Sequence, residues 1–321
     1  MLIPFLTIRE SSDAKRARDL YRRKGGGGGG KGGGGKGGGS TGGGKGGGST
    51  GSGSGSKGGG TSIPITGKTP TGKGSASTYG NGGGKVSTIP AGTAFAGRSL
   101  GGGTRGQVYG TSAYGSGYPG VTTRGVAGRG FPFFFWPIVW GGAAGGAAEA
   151  YLHDSGEYGD CSNSSRPGGA MTQATFVSNS TAGTTFYLLA DNSTVAALIT
   201  TIDANCSSSL ASSSSIVPTI FNCSSPSAPQ PEQAIQYYRA SSVVLALSGY
   251  NNSAVSSDNS DENAAATPLP SGIDTTLLTC LNQTIGASVP LVNAAGPAWA
   301  GSGMSVVGLF WIFWFLLGNV L

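Results

Sequence analysis

The chain has 321 residues, a formal net charge of +6, one histidine, four cysteines and 62 glycines. A single histidine and the lack of any CxxC pair argue against a zinc centre, and HExxH does not occur, so one common hydrolase signature is missing. The charge is divided: residues 1–130 carry 18 Lys+Arg against 3 Asp+Glu and residues 131–321 carry 2 against 11, which joins a basic arm to an acidic domain.

Residues 1–24 form a candidate leader or propeptide. Met1–Ile8 is apolar but short, lacks a positive n-region and is closed by Arg9, a departure from the standard signal peptide. The dibasic pairs Lys15-Arg16 and Arg22-Arg23 suit either trimming by a processing protease or a basic helical turn. From 25 to 130 the chain is low in complexity, with Lys-Gly-Gly-Gly-Ser-Thr repeated at Lys36 and Lys45. Glycine loses the most backbone freedom on ordering and brings no side chain to bury, so this arm is expected to be disordered. As a Gly-rich coil it would span roughly 55–60 Å. Its lysines between 31 and 85 are 5 to 12 residues apart. That is roughly 12–20 Å in such a coil, beyond the Debye length of about 8 Å. Separate weak charges suit loose contact with an acidic matrix, or a solubilising spacer with no partner. Gly67-Lys68-Thr69 ends like a phosphate-binding loop, but Ser62 stands where the first glycine is required. Arg105-Gly106, Arg124-Gly125 and Arg129-Gly130 have the form of sparse RG elements of RNA binders.

At 131 the composition changes to Phe131-Pro-Phe-Phe-Phe-Trp-Pro-Ile-Val-Trp140. Pro132 and Pro137 oppose a regular helix, and the run is expected to fold back as core, against the alternatives of a sugar-stacking strip or a membrane-dipping loop. An α+β ectodomain is predicted over 131–290. Strands are expected at Thr172–Ser178 and Thr184–Ala190, joined by a turn at Asn179–Gly183. Asp191 or Asn192 then caps a helix with Val195, Leu198, Ile199 and Ile202 on one face, ending at Asn205 and Cys206. Ile216–Phe221 reads as a third strand. Pro231-Glu232 opens a helix to about Arg239, and Val243–Leu247 continues it or forms a strand. Asn251–Pro270 reads as a polar loop, and Asp274 caps a last helix with Leu277, Leu278, Leu281 and Ile285 on one face.

The same segment holds seven Asn-x-Ser/Thr sequons, at Asn163, Asn179, Asn192, Asn205, Asn222, Asn251 and Asn282, which reads as a secreted, N-glycosylated domain. Cys161, Cys206, Cys223 and Cys280 suggest two disulfides, with three pairings open. His153, Asp154, Glu157 and Asp160 are the one cluster with chemical potential. It would be a calcium site or a histidine base beside Asp154, against the simpler reading of a solvated acidic turn before Cys161. No catalytic residue, metal or cofactor is expected otherwise.

The chain closes on small residues, Asn293, Ala294 and Ala295, a spacer to Gly303 and an uncharged apolar tail, Met304–Leu321. These are the parts of a glycosylphosphatidylinositol (GPI) attachment signal, with Asn293 the first candidate for attachment; a retained membrane helix is the alternative. The region 291–303 is thus read as attachment site and spacer. Pro231–Ser242 continuing through Gly249-Tyr-Asn-Asn252, with Leu277–Asn282 and the aromatic run behind a Gly-rich arm, resembles secreted, GPI-anchored surface glycoproteins of mushroom-type fungi. That resemblance implies a surface location and a glycoprotein domain and transfers no catalytic residue. The expected molecule is a small disulfide-bonded, glycosylated α+β domain behind a long disordered Gly-rich arm. It would be a non-enzymatic surface or cell-wall glycoprotein reaching the outer leaflet by the secretory pathway. Its expected partners are the membrane and acidic wall polysaccharide. An extracellular hydrolase or metal- or carbohydrate-binding domain using the His153 cluster is one alternative, and an intracellular RNA binder the other.

Overall fold

The computed structural model describes residues 60–69, 71–121, 124–140, 155–255 and 265–294, all within the unit Ser56–Leu321. The expected disorder of 25–130 does not hold for the described residues from Gly60 onward. Strand β1 (Ser62–Pro64) pairs antiparallel with β2 (Ser75–Ser77), and β3 (Ser87–Thr88) with β4 (Ser99–Leu100). Sparse apolar side chains of this stretch, Ile65, Ile89, Leu100, Val108, Tyr114 and Val126 among them, are buried. The aromatic run supplies the reason. Phe131, Phe133, Phe134, Phe135 and Trp140 are buried, as expected for core. Bare glycine backbone lets their rings come close: a Cβ at Gly84 would stand 2.7 Å from the Phe134 ring, and one at Gly103 2.6 Å from that of Phe133. Glycine is ordered here by the rings packed on it, a contribution that composition does not reveal.

A short helix, α1 (Ser155–Tyr158), precedes the main sheet. Strands β5 (Met171–Val177) and β6 (Thr185–Asp191) form the expected hairpin, with Phe176 opposite Phe186 and Thr172 opposite Ala190. Helix α2 (Asn192–Cys206) follows at once. Asp191 is its N-cap, accepting from the Thr194 N–H at 2.9 Å, and Val195, Leu198, Ile199 and Ile202 are buried on its inner face. The third strand is shorter than expected: β7 is only Thr219–Ile220, and Ile216 and Val217 are exposed.

The helix expected at 231–239 does not form. One 3-10 turn, Pro231–Gln233, gives way to strand β8 (Ala234–Tyr238), which pairs with β9 (Val243–Leu247). Ala234, Tyr237 and Tyr238 have helical spacing, but aromatic side chains and pairing to a neighbour outweigh one capping turn. Helix α3 (Thr275–Ser288) is capped by Asp274 as expected; Leu277, Leu281 and Ile285 are buried and Leu278 is partly so.

The sheet order is β7-β5-β6-β9-β8, antiparallel throughout. All five residues of β9 are buried, so both faces of the sheet are covered there. Adjacent tyrosines of β8 mark the two covers, since successive side chains in a strand point to opposite faces. Tyr238 donates to Asn282 Oδ1 on α3 at 2.7 Å, whereas Tyr237 accepts from the Trp140 indole N–H at 3.1 Å. Helices pack on one face and the aromatic run on the other. The fold also extends past the predicted boundary at 290: Leu291 bridges to Ser77, Asn293 bridges to Gly83, and the Ala294 N–H donates to the Gly82 carbonyl at 2.9 Å.

Candidate functional site

The acidic cluster divides. His153 and Asp154 lie outside the described residues. Glu157 accepts from the Gly128 N–H at 2.8 Å and pairs with Arg98 at 2.5 Å. Asp160 accepts from both the N–H and hydroxyl of Ser162 at 2.9 Å, which holds its carboxyl below the ordinary value. The two carboxylates are therefore engaged in separate turn contacts. Asp160 also lies near Cys161 and Cys223, but those sulfurs are bonded to each other and cannot serve as thiolate ligands.

Of the three open pairings the structure has Cys161–Cys223 and Cys206–Cys280. The second ties the end of α2 to α3. The sequon asparagines share one property, access to solvent. Asn179, Asn192, Asn205, Asn222 and Asn251 are exposed, and Asn163 and Asn282 are half-buried. Asn252, which starts no sequon, is buried instead, and its Oδ1 accepts from the Ala254 and Thr267 N–H groups. Of the candidate attachment residues, Asn293 is built into the fold: its Oδ1 accepts from the Gly82 N–H at 3.0 Å. Ala294 is held by its own bond to Gly82, while Ala295 and the tail Met304–Leu321 lie outside the described residues. Among the described residues no helix is long and apolar enough to cross a membrane.

Residues 131–321 contain two basic side chains, Arg166 and Arg239, and both are buried. Arg239 Nη2 meets Asp191 Oδ2 at 2.7 Å, and Nη1 donates to Thr194 Oγ1 and to the Pro290 carbonyl, each at 3.0 Å. The Phe135 ring centre is 3.6 Å from the guanidinium carbon. Burial lowers the Arg239 pKa from its ordinary value and Asp191 opposes that shift. Its own backbone is unusual, since Arg239, Ala240 and Ser241 have φ of 52°, 50° and 58°. This left-handed turn costs about 1–2 kcal/mol per residue. It is held by Arg239 N–H to Val108 O, Ile138 N–H to Ser241 O and Gly115 N–H to Ser241 Oγ. One turn thereby ties the Gly-rich segment, the aromatic run, α2 and the chain after α3 together. Sequence reading missed Arg239 because it stood in a presumed helix. Its signal was its isolation, as one of two basic residues in the acidic half.

Arg166 has no carboxylate partner among the described residues. It donates to the carbonyls of Tyr158 (2.8 Å), Pro137 (2.5 Å) and Trp136 (3.4 Å) and lies over the Trp136 ring at 5.6 Å. Burial lowers its pKa to about 10, which leaves it charged at neutral pH. The RG arginines are also turned inward. Arg105 donates to Gly80 O and Gly286 O, Arg124 to Ala254 O, and Arg129 to Gly115 O. These contacts place their guanidinium groups against backbone carbonyls of the fold.

Two of the surface clefts bear on function. One, of about 460 Å³, lies under the Ser207–Ser215 loop beside Asp203 and exposed Ile216. The other, of about 820 Å³, is formed by Lys68, Lys73, Thr93, Trp136 and Asn163 with intervening glycines. Among the described residues, no hydroxyl lining either cleft is hydrogen-bonded to a carboxylate or a lysine ammonium. A comparison of the chain with protein-family models, curated proteins and solved structures finds no match in any of the three, so the residues themselves carry the functional argument.

Proposed function

We propose that this chain is a non-enzymatic cell-surface or cell-wall glycoprotein whose α+β domain is N-glycosylated and anchored through its C-terminal segment. The observation that carries the reading is the placement of the sequons: all seven asparagines are exposed or half-buried, while buried Asn252 lies outside any sequon. Two disulfides support an oxidising compartment. The separate engagement of Glu157 and Asp160 favours a structural over a catalytic role for the acidic turn. Anchoring at Asn293 would place the domain against the bilayer with no stalk. It would also require the transamidase to act before Asn293 closes onto Gly82.

The test is expression of the full chain with its native leader in a fungal host. Intact cells are treated with phosphatidylinositol-specific phospholipase C, beside a control anchor known to be cleaved. Release of a form that loses mass on N-glycan removal is the expected result. A glycosylated form that stays bound would replace the lipid anchor by a membrane helix. An unglycosylated protein with reduced cysteines would overturn the surface reading.

A further inference from the structure

The larger cleft has features of a binding site. Its chain is fixed from both sides: the Lys68 N–H donates to Ser165 O at 3.1 Å, and Thr69 Oγ1 donates to Lys73 O at 3.0 Å. Among the described residues neither lysine is in an ion pair and no carboxylate lines the cleft. Glu157 is paired with Arg98, and neither it nor Asp160 lines the cleft. Trp136 forms part of the wall. Arg166 lies over its ring and Phe95 meets it edge-on at 4.9 Å, so the indole is held in place. Its Nε1–H is buried and has no partner among the described residues. That donor is sealed from solvent, so the indole serves the cleft as a wall and not as a hydrogen-bond donor. Buried Arg166 behind the wall adds a third positive charge.

We propose that this cleft binds a short anionic saccharide. Lys68 and Lys73 hold its carboxylate or phosphate, Thr93 meets its hydroxyls, and the Trp136 ring forms a wall beside it. Two ammonium groups without a competing carboxylate select negative charge. A mixed polar and apolar lining and a volume of about 820 Å³, within the range of small-molecule sites, suit a sugar better than a lone inorganic ion. Asn163 is itself a sequon asparagine on the rim, so the ligand has two sources: a separate acidic polysaccharide, or an acidic glycan carried by this chain. This deepens the surface-glycoprotein reading, on which it rests only for the origin of the ligand.

The test uses the purified full-length glycosylated protein in detergent, titrated with tetragalacturonate, with cellotetraose as the neutral counterpart and with inorganic phosphate. Tetragalacturonate is expected to bind with an affinity that falls as salt rises, and cellotetraose and phosphate much more weakly. Lys68→Gln with Lys73→Gln should weaken binding by about tenfold or more, on the scale of losing hydrogen bonds to a charged group. Circular dichroism and disulfide content check that the variants are folded. Binding seen only in Asn163→Gln supports the site, with the chain's own glycan as its occupant. Equal binding of the neutral tetramer, an unchanged double-lysine variant, or no binding by either wild type or Asn163→Gln overturns the proposal. Phospholipase release decides the anchor independently, so each reading can fail without the other.

Discussion

Arg239 and Asp191 are buried together, and removing either leaves the other charge without its partner in a dry site. Asp191→Ala or Arg239→Met should each cost about 3–5 kcal/mol. A double variant, Asp191→Ala with Arg239→Met, should cost clearly less than the sum, because no lone charge remains. Urea unfolding of the four proteins measures this coupling, and strict additivity would show that the pair is not acting as one. Asp274 offers a pH test. Burial works to raise its pKa, but bonds from the Leu277 N–H and from the Ser178 and Ser180 hydroxyls outweigh burial and hold it below its ordinary value. A depressed folded pKa contributes stability above the unfolded value, about 3.9, and loses it as pH falls through the folded value. The stability gap between wild type and Asp274→Asn should therefore be full at pH 7 and shrink below about pH 4. A gap that does not change between pH 7 and pH 3 would count against this ionisation.

At the level of elements, the join between β6 and α2 depends on a glycine outside both. Gly168 has φ +92°, and a Cβ there would stand 1.9 Å from Asp191 Oδ1, the oxygen that caps α2. Gly168→Ala should cost about 2–4 kcal/mol through backbone strain and the displaced carboxylate. Chemical denaturation checks it, and a loss under about 0.5 kcal/mol would mean that the loop yields. The Cys206–Cys280 bond joins α2 and α3 across a separation of 74 residues, so Cys206→Ala with Cys280→Ala should cost about 2–5 kcal/mol. The β5–β6 hairpin and helices α2 and α3 were legible because alternation, caps and helical spacing agreed over a full element. The segment 231–239 was not. Its spacing fits a helix face, yet Tyr237 and Tyr238 serve opposite faces of a sheet.

At the scale of the molecule, part of the basic half is core. The described residues between Gly60 and Gly130 belong to the fold, so the arm is to be tested by deleting 25–59 and not 60–130. Removal of 25–59 should leave the denaturation midpoint unchanged, whereas removal of 60–130 should abolish cooperative unfolding, because Ile89, Leu100, Val108 and Tyr114 are buried core. If the shorter arm contacts acidic wall polymers, its deletion should weaken retention in low salt and not in high salt. Sequence alone determined the two charge regimes, the sequons, an even cysteine count and the capped helices, since each is written in residue type and short spacing. Only the tertiary structure decided the rest: which cysteines pair, that Arg166 and Arg239 are interior, that Lys68 and Lys73 share a cleft with Trp136, and that a glycine-rich stretch is ordered. The reason is the same in each case. Ring packing on bare backbone, cross-strand pairing and burial of a charge are set by residues distant in the chain, and local pattern carries no record of them.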